Sequence, residues 1–195
     1  LAELANAQRP YVTILGCSDS RVPPEWIFDA GLGELFVVRV AGNILSPEIA
    51  GTLQYAGSYL QTPLFVVLGH EGCGAITAAL ATKHEGEQFR SRVQLLLASI
   101  VPGLPELDSQ LSPQEQLSRA VESNVRWTVR QILDSPEGQT RVAEGRMEIV
   151  GAPDDIPPVQ QEVQAEIDFA EGRARPMVSI ERFAFYEAAK TAYAV

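Results

Sequence analysis

The segment Gly16-Cys17-Ser18-Asp19-Ser20-Arg21, which directly follows the apolar run Tyr11-Val12-Thr13-Ile14-Leu15, carries the strongest structural signal in this chain of 195 residues. A second segment, Gly69-His70-Glu71-Gly72-Cys73-Gly74, follows the apolar run Leu64–Leu68 in the same way. Short continuous apolar runs of this kind are typical of buried strands in a parallel sheet. Because ligand sites gather at the carboxyl ends of parallel strands, we expect the two segments to meet at one edge of the sheet.

These two segments contain both cysteines of the chain and one of its two histidines. His70 and Cys73 are separated by three positions, so one loop or first helical turn can direct both at a single ion. Two thiolates and one imidazole form a three-ligand zinc set that leaves a fourth position open, as catalytic sites do. The alternative is that Cys17 and Cys73 are buried as small hydrophobic residues. We favour a metal site because the ligand types and their positions after two strands agree.

Strand and helix patterns alternate along the chain, which predicts an α/β fold with a mostly parallel central sheet flanked by helices. The predicted strands cover residues 11–16, 35–40, 64–68 and 147–150. The predicted helices lie near Trp26 and over residues 48–61, 74–82 and 113–134, the last with Ser112 as its N-cap. A length of 195 residues suits a single domain, 1–195.

Composition limits the partners. The formal net charge is −10, from 15 basic and 25 acidic residues, which argues against nucleic acid as a partner. No apolar run is long enough for a transmembrane helix, so we expect no membrane span. Two cysteines committed to a metal leave none for disulfides, which favours a cytoplasmic location. The chain begins at Leu1 rather than at Met, so an upstream targeting segment stays open.

Three motifs together resemble the beta class of carbonic anhydrases: Cys-Ser-Asp-Ser-Arg at 17–21, Arg-Val-Ala-Gly-Asn at 39–43 and Gly-His-x-x-Cys-Gly at 69–74. The resemblance runs from about Gln8 to Ala152. It implies that Cys17, His70 and Cys73 hold Zn²⁺, and that Asp19 and Arg21 form a catalytic pair beside the metal. In this interpretation Asp19 accepts a hydrogen bond from zinc-bound hydroxide while Arg21 keeps the carboxylate ionised.

The resemblance leaves two roles open for Asp19. In some family members this residue ligates zinc directly, and those members tend to carry Trp three residues before the first cysteine, where this chain has Ile14. We therefore favour an open site. The resemblance further implies a substrate pocket of Gln8, Phe36 and Tyr55 contributed across a subunit interface, in a homodimer or higher homo-oligomer. Plain core packing is the alternative for the two aromatic residues. Gly74 is expected to offer its backbone N–H to an oxyanion.

The function implied is the reversible hydration of carbon dioxide to bicarbonate and a proton. Two alternatives stay open: hydrolysis of carbonyl sulfide or carbon disulfide on the same fold, and a non-catalytic zinc-binding interaction domain. A purely structural zinc site would need a fourth protein ligand. The Asp19–Arg21 pair therefore argues against the non-catalytic alternative.

Other residues have less specific predicted roles. Arg39 and Asn43 are expected to fix loops and the subunit interface, and His84 to be a solvated surface residue. The sequence departs from the family after Val150, and the segment 153–195 is divergent. That departure leaves the assembly beyond a dimer and the shape of the pocket mouth open.

Overall fold

The computed structural model describes Leu4 and residues 6–152, in which four strands form one parallel sheet in the order β2-β1-β3-β4. Each predicted strand is present, with ends that differ from the prediction by at most two residues. The strands are β1 Val12–Gly16, β2 Leu35–Arg39, β3 Leu64–Leu68 and β4 Glu148–Ala152. The predicted α/β fold is thereby confirmed.

The strand register brings three carboxyl ends to the same level. Gly16, the last residue of β1, pairs with Arg39 of β2 on one side and with Leu68 of β3 on the other. The residues that follow these strands therefore meet at one edge of the sheet. This is the edge at which the sequence predicts a site.

Within the part of the chain that the structure describes, six α-helices connect the strands and extend the fold. They are α1 Pro24–Ile27, α2 Pro47–Tyr55, α3 Gly74–Leu80, α4 Ser91–Ile100, α5 Pro113–Asp134 and α6 Pro136–Ala143. Helix α5 has the predicted bounds, and a reciprocal capping box formed by Ser112 and Glu115 fixes its start. Helices α2 and α3 are confirmed, but each ends in a π-helical turn, at Ala56–Leu60 and at Ala81–Glu85. The sequence patterns did not predict α4 and α6.

Helices α2 and α5 cover one face of the sheet. Leu15 of β1 and Val67 of β3 point to that face, where they pack with Leu53 of α2 and Val125 of α5. Alternate residues of the same strands, such as Ile14 and Val66, point to the other face and join the cluster around α1. Because β1 and β3 are buried on both faces, their sequences do not alternate between apolar and polar residues; Thr13 is the one polar side chain in the two strands, and its hydroxyl bonds to that of Thr62.

Two predictions lie partly or wholly outside the described residues. The divergent segment 153–195 is not described, and the assignment of 1–195 to a single domain stays a prediction. No helix among the residues described here has the length and apolar character needed to cross a membrane.

Candidate metal centre

The three predicted metal ligands lie together at the carboxyl edge of the sheet. Cys17 follows the last residue of β1, His70 follows β3 after Gly69, and Cys73 is the N-cap residue of α3. All three are buried. Their candidate ligand atoms all lie within 4.8 Å of one another, and the two sulfur atoms are 3.9 Å apart.

The imidazole of His70 is oriented as a metal ligand would be. Its Nδ1 lies 2.9 Å from the carbonyl oxygen of Glu71, so Nδ1 carries the proton and donates it to that oxygen. This tautomer leaves a lone pair on Nε2, which is buried and has no hydrogen-bond partner among the described residues. A buried polar atom without a partner calls for an explanation, and metal coordination supplies one. The donor set of two sulfurs and one imidazole nitrogen fits zinc.

The two thiols influence each other strongly. The hydrogen bond from Cys73 lowers the pKa of Cys17, and a smaller contribution in the same direction comes from the backbone amide of Gly42. The same hydrogen bond, together with burial, raises the pKa of Cys73. A divalent cation bound to both sulfurs would stabilise the two thiolates together.

Asp19 and Arg21 form a bidentate pair at the mouth of the site. Arg21 donates from Nε to Oδ1 of Asp19 at 2.9 Å and from Nη2 to Oδ2 at 2.7 Å, and its backbone N–H also donates to Oδ1 at 3.0 Å. These bonds hold the pKa of Asp19 well below its usual range, so the carboxylate stays ionised. Oδ2 of Asp19 lies 3.9 Å from Nε2 of His70. Arg21 also donates from Nη2 to the carbonyl oxygen of Gly72 at 3.3 Å, which ties the two motifs together.

Arg39 fixes the loop that carries Cys17 and Asp19, as predicted for its loop role. Its Nε donates to the carbonyl oxygen of Cys17 at 2.9 Å, and its Nη2 donates to the carbonyl oxygen of Asp19. Arg39 is the last residue of β2, so it reaches across the carboxyl edge to the loop after β1. The guanidinium thus orients the backbone on both sides of Ser18.

A turn at Ala41–Asn43 contacts the sulfur of Cys17. Gly42 and Asn43 both have positive φ, of 67° and 43°, and the amide of Gly42 donates to Sγ of Cys17 at 3.4 Å. Two buried side chains of α5 hold this turn from the other side. Asn124 donates from Nδ2 to the carbonyl oxygen of Gly42 at 2.9 Å, and Thr128 donates to the carbonyl oxygen of Asn43 at 3.2 Å.

The sequence analysis did not single out Asn124 or Thr128, although a signal was present. Both lie four positions apart on the core-facing stripe of α5, among apolar residues such as Val121, Val125 and Ile132. Each is only 1% exposed. A polar residue that interrupts an apolar stripe is unfavourable unless it has a hydrogen-bond partner, so it indicates a contact beyond the helix.

The contacts found for the predicted pocket residues do not include the three candidate metal ligands. Gln8 is exposed before β1. Phe36 of β2 is half-buried and contacts Tyr55 at the end of α2, with ring centroids 6.3 Å apart. Tyr55 is 45% exposed and stacks on Tyr59, which is 78% exposed. Tyr55 is more exposed than a residue packed in the core would be. The assignment of Gln8, Phe36 and Tyr55 to a substrate pocket stays a prediction.

Gly74 is the first residue of α3, directly after the ligand Cys73. It is exposed, and a Cβ atom at this position would meet nothing within 4 Å. The space in front of its backbone is therefore open. Its predicted contact with an oxyanion is not tested by this geometry.

His84 was expected to be solvated, and that prediction is wrong. Its side chain is only 12% exposed, because the π-helical turn after α3 directs it at the loop after α4. Nε2 lies 3.3 Å from the carbonyl oxygen of Pro105, and Nδ1 lies 3.9 Å from the Glu106 carboxylate. Lys83 also donates to the Leu104 carbonyl oxygen at 2.7 Å. The two basic residues join α3 to this loop.

Comparison with known proteins gives consistent matches. A family model described as carbonic anhydrase matches residues 12–158. Carbonic anhydrase 2 of Mycobacterium tuberculosis is 39% identical over 154 residues, which cover 77% of this chain and 72% of the relative. A carbonic anhydrase of Mycolicibacterium smegmatis is 37% identical over 144 residues, which cover 74% of this chain and 68% of the relative. Among solved structures, a tetrameric beta-carbonic anhydrase of Sordaria macrospora has a TM-score of 0.71 at 27% identity, covering 77% of this chain and 78% of that one.

Proposed function

This chain belongs to the beta-class carbonic anhydrase family and is a carbonate dehydratase, and from that premise we propose that Cys17, His70 and Cys73 hold a zinc ion at which carbon dioxide and bicarbonate interconvert. The observation that carries the proposal is the buried set of three ligand atoms in which Nε2 of His70 has no other partner among the described residues. Two cysteine sulfurs favour a soft or borderline metal over magnesium or calcium.

When bound, zinc supplies a Lewis acid that lowers the pKa of a coordinated water toward neutrality. Side chains and backbone groups of the chain would bind the ion and orient the reacting water. Cys17 and Cys73 would hold the ion through sulfur and His70 through Nε2. The hydrogen bond from Nδ1 of His70 to the Glu71 carbonyl keeps the imidazole in the tautomer that this requires.

Asp19 is proposed to orient the reacting water. Its Oδ2 lies next to Nε2 of His70, at 3.9 Å, and therefore beside the position of any ion that His70 binds. An ionised carboxylate accepts hydrogen bonds and donates none, so a water molecule at this place must turn a proton toward Asp19. The remaining oxygen lone pair is then free to face the carbon of carbon dioxide.

Arg21 is proposed to hold Asp19 in this position rather than as a fourth ligand. Both carboxylate oxygens accept hydrogen bonds from Arg21, and Asp19 does not belong to the group of mutually close ligand atoms formed by Cys17, His70 and Cys73. The bond from Arg21 to the Gly72 carbonyl oxygen anchors the guanidinium to the loop between two ligands. This arrangement supports an open fourth position over direct ligation by Asp19.

The last part of the proposal is the assembly of several copies of the chain. An aromatic group of Phe36, Tyr55 and Tyr59 is partly exposed at the β2 edge of the sheet and the end of α2. We propose that the chain forms a homodimer or a higher homo-oligomer in which Gln8, Phe36 and Tyr55 face the site of a partner subunit. The solved Sordaria relative is described as tetrameric, which supports assembly without fixing its order here. A cytoplasmic location stays a prediction from the sequence.

A stopped-flow assay of carbon dioxide hydration tests the proposal. The protein is measured as purified, after removal of metal by a chelator, and after reloading with one equivalent of zinc. Turnover that disappears with the chelator and returns with zinc is the expected result. A parallel assay of sulfide release from carbonyl sulfide separates the alternative substrate. Zinc-loaded protein that releases sulfide but does not hydrate carbon dioxide would overturn the assignment.

A further inference from the structure

We propose that Asn124 is a positioning residue for the metal centre, acting through the turn at Gly42 on the sulfur of Cys17. This inference rests on the proposed metal site, but it concerns a residue on α5 that is far from the ligands in sequence. Asn124 touches neither the ligands nor the Asp19–Arg21 pair by any recorded hydrogen bond among the described residues. Its effect passes through one glycine.

The contacts form a short chain of hydrogen bonds. Asn124 donates from Nδ2 to the carbonyl oxygen of Gly42 at 2.9 Å, and the amide of the same glycine donates to Sγ of Cys17 at 3.4 Å. Both donor groups and both acceptors are buried. The carbonyl and the N–H of Gly42 belong to successive peptide planes, so a hold on the carbonyl limits rotation about the Gly42 backbone and thereby restrains the direction of its N–H. Thr128 holds the next carbonyl, that of Asn43, at 3.2 Å.

The turn needs this support because its backbone is unfavourable. Asn43 has a φ of 43°, in the left-handed region, directly after Gly42 with a φ of 67°. Left-handed backbone is unfavourable at a non-glycine residue, although less so at asparagine than at most others, and it persists where the surroundings impose it. Gly42 has no room for a side chain either, because a Cβ atom there would lie 2.7 Å from Cδ1 of Ile100.

The N–H bond to Cys17 has a specific chemical effect. A hydrogen bond to a thiolate stabilises its negative charge, and the amide of Gly42 donates such a bond to Sγ of Cys17 at 3.4 Å. A stabilised sulfur donates less charge to a metal and keeps a fixed direction toward it. Groups that orient ligands in this way are worth about 10–100-fold in metal affinity or activity.

The experiment compares three variants of the full chain. Asn124→Asp keeps the size of the side chain and removes its only donor to Gly42. Thr128→Val is a milder second variant that removes one hydroxyl donor without changing the shape, should Asn124→Asp fail to fold. Thr13→Val is the matched control, because Thr13 is fully buried and its hydroxyl bonds to that of Thr62 at 2.7 Å, away from the turn.

Two measurements at the metal give the answer. The first is the rate of zinc release to a coloured chelator. The second is the sulfur-to-metal charge-transfer band of the cobalt(II)-substituted protein, which reports directly on the sulfur. We expect Asn124→Asp to release zinc about 10-fold faster and to move the band to longer wavelength, because a sulfur that has lost a hydrogen bond gives up charge more easily. Thr128→Val should change both in the same direction by less.

The control separates this role from simple loss of stability. Thr13→Val should lower the melting temperature and leave the cobalt band unchanged. A folded Asn124→Asp or Thr128→Val variant with the wild-type band and wild-type zinc release would overturn the inference. So would a shift of the same size in Thr13→Val. The outcome is independent of the substrate, since a wild-type protein that binds zinc without hydrating carbon dioxide would refute the proposed function and leave this test intact.

Discussion

Replacing Asp19 by Asn should abolish most turnover while changing stability very little. The side chain of Asp19 is 20% exposed and that of its partner Arg21 is 45% exposed. Ion pairs with this much solvent access contribute about 0–1 kcal/mol to stability, because water screens them and replaces their hydrogen bonds. The melting temperature of Asp19→Asn should therefore lie within a few degrees of the wild type, about 2–4 °C for 1 kcal/mol at this size.

The expected loss of turnover is much larger for two structural reasons. Oδ1 and Oδ2 of Asp19 both accept from Arg21, and an asparagine offers only one acceptor oxygen. If that oxygen faces Nε of Arg21, the new NH₂ group faces the Nη2 donor and the pair must open. The NH₂ group also replaces the acceptor beside Nε2 of His70, so it would turn a water molecule the wrong way. Loss of such an oriented proton contact costs about 10²–10⁴-fold.

Stopped-flow hydration of carbon dioxide, zinc content and thermal unfolding should be measured on the same preparations. The matched control is Asp108→Asn, since Asp108 also pairs with an arginine, Arg119, at 3.5 Å on an exposed surface. That variant should keep full turnover. The reasoning fails if Asp19→Asn retains zinc and turns over at near wild-type rate. It also fails if turnover falls only because zinc is lost.

Three further predictions follow from the site and its supports. Cys73→Ser should lose most of its zinc by elemental analysis, because a hydroxyl is a poor ligand beside a thiolate, whereas undiminished zinc would remove Cys73 from the site. Gly69→Ala should destabilise the protein by about 1–3 kcal/mol in denaturant unfolding, since its Cβ would lie 2.6 Å from Cγ2 of Val125. The control is Gly51→Ala, at an exposed position of α2 where a Cβ would meet nothing within 4 Å, and it should be neutral or slightly stabilising. Light scattering after size-exclusion chromatography should show at least a dimer, and an active monomer would refute the role of Gln8 and Tyr55 across an interface.

The sheet and the ligand cluster were predictable because one physical pattern determines both. Continuous apolar runs such as Val12–Leu15 and Leu64–Leu68 are expected only where both faces of a strand are buried. Parallel strands in register bring their carboxyl ends together, so the polar residues that follow must meet. Cys17 and His70 are far apart in sequence, yet the register alone places them side by side.

The parts that the sequence analysis missed depend on contacts that leave little local trace. Helix α6 contains Gly138 and follows α5 after a single residue, Ser135, so its pattern merges with the end of the longer helix. The burial of His84 depends on a π-helical turn at Ala81–Glu85 that no periodicity indicates. Asn124 and Thr128 are recognisable only as polar interruptions of an apolar stripe, and what they hold cannot be read from α5 alone.

The charges around the centre explain why two arginines lie at this edge of the sheet. With both cysteines as thiolates and Asp19 ionised, the site holds three negative charges within a few ångströms. A divalent zinc ion and Arg21 would together balance them. Arg39 then adds a positive charge that is directed at the carbonyl oxygens of Cys17 and Asp19 rather than at a carboxylate. Arg39 therefore holds the loop that carries Cys17 and Asp19, and Arg21 alone pairs with the Asp19 carboxylate among the contacts described for these two arginines.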